Sequence, residues 1–209
     1  MQLIGMLDSP FVRRTAIAAR LLGIPFEHRN LSVFRNYDVV RTINPAVKVP
    51  TLVCDDGTVL MDSSLILDYL ETVAGRSLWP ADAAQRRHAL RVTGLALAAC
   101  EKVVQMFMEK HARPPEFLYE GWFGRIRQQL AGALASLDAT LAEEPLPLEE
   151  SKIGHAAIIA AITWRCVQIK VADDVLPAYP TLADFSSRAE RLAVFMAAPP
   201  DEEAVMAPA

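Results

Sequence analysis

The sequence predicts an α/β domain followed by an all-α domain in a chain of 209 residues. Two observations carry this prediction. Over residues 1–76, short apolar segments typical of strands alternate with helical patterns. From residue 83 onward the strand patterns stop, and apolar residues recur every three or four positions, as they do in amphipathic helices. We therefore predict domains at 1–76 and 83–209, joined by a linker at 77–82.

In the first domain the patterns give the order βαβαββα. The predicted strands are 2–7, 26–31, 51–54 and 59–61, and the predicted helices are 10–22, 36–43 and 64–73. Gly23 and Gly75 each stop a helix, and residues 55–58 form a hairpin turn between the last two strands. The first two strands should be parallel and the last two antiparallel. We expect the third helix to bury four residues: Leu65, Ile66, Tyr69 and Leu70.

The second domain is predicted to contain long helices at 83–111 and 116–141. Residues 154–167 are almost wholly apolar, which predicts a buried central helix. Prolines at 177 and 180 interrupt the pattern, and Thr181-Leu182-Ala183-Asp184 then resembles a capping box that starts the last helix. Residues 197–209 are predicted to be a frayed tail.

The composition of the chain argues against several classes of function. The chain is 52% hydrophobic with a net charge of −4, so nothing favours nucleic acid as a partner. No apolar run reaches the roughly 20 residues of a membrane span, and the first residues lack the basic region of a signal peptide. Cys54, Cys100 and Cys166 are isolated, which predicts no metal site and fits buried thiols in a reducing cytoplasm.

Three motifs carry chemistry. Ser9-Pro10 looks like a helix start, Val49-Pro50 ends the run 44–50 and opens a strand, and Asp62-Ser63 opens the next helix. At this spacing, and in this order of domains, they resemble the glutathione site of the cytosolic glutathione S-transferases. The resemblance covers essentially the whole chain and is greatest to the small bacterial branch that opens with a Ser-Pro-Phe motif. It implies a thioredoxin-like domain followed by the helical C-terminal domain of that family.

The resemblance implies that glutathione is the co-substrate and that its thiol is activated as a thiolate. Ser9 would be the catalytic hydroxyl, at the positive end of a helix. Read from the Ser-Pro pair alone, the same serine is an ordinary helix cap, and a backbone N–H near residue 11 or 12 could take over its role. Classes that use a tyrosine have it where this chain has Asp8-Ser9.

The same resemblance implies five glutathione-binding residues: Lys48, Val49, Pro50, Asp62 and Ser63. A cis Val49-Pro50 bond would present the Val49 backbone to the cysteinyl part of glutathione. Ser63 would bind the γ-glutamyl carboxylate at a helix N-terminus, Asp62 the γ-glutamyl ammonium, and Lys48 the glycyl carboxylate. Without the resemblance, these residues are interpreted as an ordinary trans proline at a strand start, a helix cap and an exposed loop lysine.

The acceptor, a small hydrophobic electrophile, is expected in a pocket between the domains. Its predicted residues are Phe11, Met106, Phe107, Lys110 and Arg113. Core packing is the alternative for Met106 and Phe107. Family members are commonly homodimers, with candidate surfaces at 69–73 and at the helices that begin near Gln85 and Glu116.

Other functions remain open. One is a glutathione-binding protein of regulatory or ligand-binding type without transferase turnover, and another is a glutathione-dependent peroxidase or disulfide-bond reductase. A mixed disulfide with the protein would need a cysteine where Ser9 stands. Maleylacetoacetate isomerases usually carry a Ser-Ser-x-x-Ser/Cys stretch, which residues 7–11 do not match.

One departure from the resemblance lies in the second domain. Many members of the family start the buried helix with Thr/Ser-x-x-Asp, and the helix predicted at 154–167 lacks that start.

Overall fold

The structure, a computed structural model, describes residues 1–175 and 179–200. Its contacts divide the chain into two compact units. One unit is Met1–Leu78 together with residues 193–200, and the other is Trp79–Leu192. The predicted break at Pro177 and the predicted tail from residue 201 onward lie outside the described residues.

The first unit has the predicted order of elements. Its strands and helices are β1 (Gln2–Ile4), α1 (Pro10–Leu22), β2 (Glu27–Arg29), α2 (Tyr37–Ile43), β3 (Thr51–Val53), β4 (Val59–Met61) and α3 (Ser63–Ala74). The four strands form one sheet in the order β2-β1-β3-β4. β1 runs parallel to β2 and antiparallel to β3, and β3 runs antiparallel to β4. This confirms the predicted thioredoxin-like arrangement.

Local signals set the ends of these elements. Gly23 ends α1 at φ 74° and Gly75 ends α3 at φ 63°, both in the left-handed region that favours glycine. In the turn between β3 and β4, the Thr58 amide donates to Asp56 Oδ1 at 2.9 Å. That hydrogen bond holds the pKa of Asp56 below its ordinary value.

The core of the first unit lies between α1, the sheet and α3. Its clustered side chains are Ala19, Leu22, Ile24, Leu52, Cys54, Ile66 and Leu70. The prediction for Leu65 was wrong, because this side chain is 66% exposed. The buried stripe of α3 is Ser63, Ile66, Leu67 and Leu70, which follows the helical spacing of three and four residues. The stripe therefore begins with a polar residue that an apolar pattern does not reveal.

The second unit contains α4 (Ala83–His111), α5 (Glu120–Glu143), α6 (His155–Lys170) and α7 (Pro180–Ala189). α6 is buried along nearly its whole length against α4 and α7, so the predicted central helix is confirmed. Its N-cap, Gly154, offers no side-chain hydrogen bond, as the missing Thr/Ser-x-x-Asp start indicated. α5 begins at Glu120 rather than at Glu116, because Pro115–Phe117 forms a separate 3-10 turn.

The start of α7 differs from its prediction. The helix begins at Pro180, and Thr181 is not its N-cap. The Leu182 amide instead donates to Asp138 Oδ1 on α5 at 2.8 Å. The capping-box prediction was wrong because proline occupies the first helical position, where its fixed φ and missing N–H cost nothing, and a neighbouring helix supplies the acceptor.

The last described segment, residues 193–200, packs against α1 through α8 (Ala193–Met196). Ala198 is fully buried, and the exposed Ala197 donates its amide to the Ala193 carbonyl at 2.9 Å, so the predicted fraying does not hold at residues 197 and 198. All three cysteines are buried free thiols, as predicted. Within the described ranges, no helix is long and apolar enough to cross a membrane.

Candidate functional site

Ser9 is the N-cap of α1, as the Ser9-Pro10 pair predicted. Its Oγ accepts a hydrogen bond from the Val12 amide at 3.4 Å, and Pro10 occupies the first helical turn. Capping uses an oxygen lone pair and leaves the hydroxyl proton available. The cap and a thiol-directed hydrogen bond are therefore compatible roles for one side chain.

A second donor lies beside this hydroxyl. The sequence allowed a backbone N–H at residue 11 or 12 to act on the thiol. The Val12 amide is engaged by Ser9 Oγ, whereas the Phe11 amide has no hydrogen-bond acceptor among the residues that the structure describes. Of the two, the Phe11 amide is the open donor at the positive end of α1.

Gly5 brings the Val49 segment against the start of α1. A Cβ placed on Gly5 would lie 2.6 Å from Val12 Cγ2 and 3.0 Å from Val49 Cβ. Gly5 also has φ 133°, a conformation that side chains rarely adopt. Two of the three predicted motifs thus meet at the end of β1, and their close approach requires a glycine there. Gly5 was not among the residues predicted from the sequence.

The loop before β3 is fixed by a chain of polar contacts. Asn44 Nδ2 donates to Thr51 Oγ1 at 2.8 Å, and the Thr51 hydroxyl donates to the Lys48 carbonyl at 2.5 Å. Both side chains are buried. The Val49-Pro50 bond is cis, as the resemblance implied. Between the Lys48 carbonyl and Thr51, the amide and carbonyl of Val49 bond to none of the described residues, so they can pair with a ligand.

Asp62 and Ser63 begin α3. Asp62 is the N-cap, and its Oδ1 accepts from the Ser64 amide at 2.8 Å. Asp62 is exposed and adopts φ 68°, which is uncommon outside glycine. Ser63 is only 4% exposed, and its Oγ accepts from Arg14 Nη1 at 3.4 Å. The Arg14 contact joins the third motif to α1. It could not be predicted from the sequence, because no local motif marks an arginine within a helix as the partner of a distant serine.

The predicted acceptor residues have other partners within their own units. Met106 is fully buried in the second unit. The Phe107 ring stacks on His111 with centroids 4.3 Å apart, Lys110 pairs with Asp174 at 2.6 Å, and Arg113 pairs with Glu109 at 3.0 Å. Phe11 is half-buried on α1. Their role toward an acceptor stays a prediction.

No group of three or more His, Cys, Asp and Glu side chains is placed to hold a metal ion in residues 1–175 and 179–200. The polar groups around Ser9, Val49 and Ser63 include hydroxyls, backbone amides, the Asp62 carboxylate and one buried guanidinium. Hydroxyls, amides and a guanidinium donate hydrogen bonds to carboxylates and thiolates.

Comparison with known proteins shows what this unit resembles. Residues 3–77 match the family model described as glutathione S-transferase, N-terminal domain. This part of the chain is therefore similar to a glutathione S-transferase N-terminal domain. The whole chain has the fold of a solved glutathione S-transferase from Methylobacterium radiotolerans in complex with glutathione sulfonate. The TM-score is 0.87 at 25% identity, covering 100% of this chain and 98% of that one.

Two curated relatives extend the match into the helical unit. A GST-like protein of Escherichia coli, YibF, whose name calls it uncharacterised, is 28% identical over 165 residues, which is 78% of this chain and 81% of that protein. A probable maleylacetoacetate isomerase of Caenorhabditis elegans is 27% identical over 206 residues, covering 91% and 88% of the two chains. Both relatives resemble this chain over more than its first unit, and their names span more than one activity.

Proposed function

We propose that this protein is a glutathione transferase that binds glutathione as co-substrate and presents its thiolate to small hydrophobic electrophiles. The observation that carries the proposal is the hydrogen bonding of the Ser9 hydroxyl. Its oxygen caps α1 while its proton stays available, and the Phe11 amide beside it is open. Both donors lie at the helix N-terminus, where a developing anion is stabilised.

These two donors can supply the free energy needed to lower the pKa of the glutathione thiol. Lowering a thiol pKa by two units needs about 2.7 kcal/mol of preferential interaction with the thiolate. A hydrogen bond to a charged group contributes about 1.5–3 kcal/mol, and a helix N-terminus adds about 0.3–1 kcal/mol. One hydroxyl and one helix end therefore suffice, without a basic side chain.

The remaining groups would hold the tripeptide. The Val49 backbone would pair with the cysteinyl residue as an added strand does. Ser63, at the N-terminus of α3, would bind the γ-glutamyl carboxylate, and the exposed Asp62 carboxylate has the sign that the γ-glutamyl ammonium requires. Lys48 is exposed beside Val49 and is available to the glycyl carboxylate.

The test is a titration of bound glutathione with wild type and Ser9→Ala, following thiolate absorbance as pH rises. We expect the bound-thiol pKa of wild type to lie well below that of free glutathione and to rise in Ser9→Ala with little loss of affinity. An equal pKa in both proteins would assign the role to the Phe11 amide. Absence of binding in both would leave a glutathione S-transferase fold without a glutathione function.

Turnover is tested separately, with a chloro-dinitro aromatic as acceptor. Retention on immobilised glutathione together with turnover supports the transferase, whereas retention alone supports a binding protein. Peroxidase or disulfide-bond reductase activity carried by bound glutathione would use the same thiolate and is assayed on the same preparation.

One observation favours a second candidate function. The match to the probable maleylacetoacetate isomerase spans 91% of this chain. A glutathione-dependent cis–trans isomerase would use the same thiolate, which adds to the double bond and leaves after rotation. Loss of the cis-alkene absorbance of maleylacetoacetate without net consumption of glutathione would identify that activity.

We also propose that the protein is a cytoplasmic homodimer. The three free cysteines suit a reducing compartment. In the first unit, α3 carries exposed apolar side chains at Leu65 and Val73, and Val73 belongs to the surface predicted at residues 69–73. Sedimentation equilibrium of wild type and Leu65→Lys tests the assembly, since a charge in a buried interface should shift the mass toward the monomer.

A further inference from the structure

α1 contains two adjacent buried arginines. Arg13 is 1% exposed and Arg14 is 3% exposed, although arginine is rarely buried to this degree unless it is paired. Successive helical residues point about 100° apart, so the two guanidinium groups reach different parts of the first unit. Arg13 Nε donates to the Ala198 carbonyl at 2.8 Å, whereas Arg14 Nη1 donates to Ser63 Oγ at 3.4 Å.

The Arg14 contact determines what the Ser63 hydroxyl can do. A serine hydroxyl has one proton to donate and lone pairs that accept. A guanidinium only donates, so Arg14 occupies a lone pair of Ser63 Oγ and cannot receive its proton. The proton must then go to another acceptor. Next to the N-terminus of α3, an anionic acceptor is favoured by the helix as well.

We propose that Arg14 is a positioning residue for Ser63, which it commits to donating a hydrogen bond to the γ-glutamyl carboxylate of glutathione. This inference rests on the proposed function. It goes beyond assigning Ser63 to that carboxylate, because it makes the selectivity of the site depend on a buried cation on α1. With Arg14 in place, Ser63 distinguishes a free carboxylate from an amide, which offers a single carbonyl acceptor and a competing donor.

The first measurement is the Kd of glutathione by calorimetry. We expect Arg14→Met to weaken binding about tenfold to a hundredfold, the effect of losing a charge-assisted hydrogen bond. In the Ser63→Ala background the same change should cost less than about threefold, because the effect passes through the Ser63 hydroxyl. Arg14→Lys should recover part of the affinity.

Arg13→Met is the matched control. It removes a neighbouring buried guanidinium from the same helix, and its partner is the Ala198 carbonyl rather than Ser63. Both methionine variants should lower the melting temperature, but only Arg14→Met should change the Kd of glutathione by more than about threefold. Equal effects of the two variants on Kd would overturn the role of Arg14.

The decisive readout is ligand selectivity, which a merely structural role would not move. The competing ligand is glutathione amidated at its γ-glutamyl α-carboxylate. Wild type should bind it much more weakly than glutathione, and the ratio of the two Kd values should fall at least about fivefold in Arg14→Met. An unchanged ratio, or full additivity of Arg14→Met with Ser63→Ala, would overturn the role of Arg14 but leave the proposed function standing. Wild type that binds no glutathione overturns the proposed function together with the role of Arg14.

Discussion

Asn44 and Thr51 are joined by a buried hydrogen bond of 2.8 Å between Asn44 Nδ2 and Thr51 Oγ1. The Thr51 hydroxyl in turn donates a hydrogen bond to the Lys48 carbonyl, so one side chain contacts both sides of the loop that carries Val49. The Asn44 Oδ1 atom also accepts from the Ala46 amide at 3.0 Å. The geometry of the proposed cysteinyl subsite therefore depends on residues that need not touch the ligand.

We expect Thr51→Val to raise the KM for glutathione more than it lowers kcat. Valine has nearly the same shape but leaves Asn44 Nδ2 without its hydroxyl partner, at a cost of about 1–3 kcal/mol in stability. Thr51→Ser keeps the hydroxyl and serves as the control. Steady-state kinetics with varied glutathione checks the prediction, and equal KM values for the valine and serine variants would contradict it.

The steric relation of Gly5 to Val49 gives a second prediction. Gly5→Ala places a methyl group 2.6 Å from Val12 Cγ2 and 3.0 Å from Val49 Cβ. Overpacking of this kind costs about 1–3 kcal/mol, and the displaced groups are those beside Ser9 and in the Val49 loop. We expect glutathione affinity to fall at least about tenfold along with stability.

Gly23→Ala separates backbone strain from steric displacement. Gly23 also has a positive φ, 74°, but a Cβ there would meet no atom within 4 Å. This variant should lose about 1 kcal/mol of stability with unchanged glutathione affinity. Chemical denaturation and calorimetry on both variants check the pair of predictions, and an equal loss of affinity in the two would show that strain alone is responsible.

Substitutions of Ser9 can separate its contribution as a helix cap from the contribution of its hydroxyl group. Ser9→Asn keeps a good N-cap but has no hydroxyl, whereas Ser9→Ala loses both, at about 1 kcal/mol of stability for the cap. If the hydroxyl lowers the thiol pKa by two units, both variants should carry roughly 100-fold less thiolate below the wild-type pKa. Ser9→Thr retains both functions and should stay near wild type.

The readouts are thermal unfolding and the pH dependence of kcat/KM. Only Ser9→Ala should lose stability, while both the alanine and the asparagine variants should show a raised apparent pKa. Wild-type pH dependence in Ser9→Asn would place the activation on the Phe11 amide instead.

Lys48 should contribute through charge. We expect Lys48→Met to weaken glutathione binding by about 1.4-fold to fivefold, because an exposed pair with the glycyl carboxylate is worth about 0.2–1 kcal/mol. The loss should be greatest at low ionic strength and should shrink at high salt, where exposed charges are screened. Arg41→Met removes an exposed arginine that is paired with Asp38 at 3.2 Å and should leave the Kd unchanged. A salt-independent loss in Lys48→Met would instead point to a packing role.

The sequence predicted most of the first unit because its signals are local. α1 matches its predicted bounds, and the cap at Ser9 and the stop at Gly23 were both read from single residues. What escaped prediction is contact between segments distant in sequence. Arg14 reaches Ser63 across 49 positions and Arg13 reaches Ala198 across 185. An apolar pattern carries no information on where a buried cation finds its acceptor.

The start of α7 shows the same limit and gives the last prediction. Thr181 to Asp184 has the local form of a capping box, yet the Leu182 amide takes its acceptor, Asp138 Oδ1, from α5. Asp138→Ala should therefore cost about 1–2 kcal/mol of stability, the price of a lost N-terminal cap. Asp138→Asn keeps an amide oxygen as acceptor and should lose less than half of that. Asp184 is the acidic residue of the predicted capping box, but its side chain pairs with Arg188 at 3.5 Å on the exposed face of α7. Asp184→Ala should therefore change the free energy of unfolding by less than about 0.5 kcal/mol. Denaturant titrations rank the three variants, and a larger loss for Asp184→Ala than for Asp138→Ala would restore the local capping box.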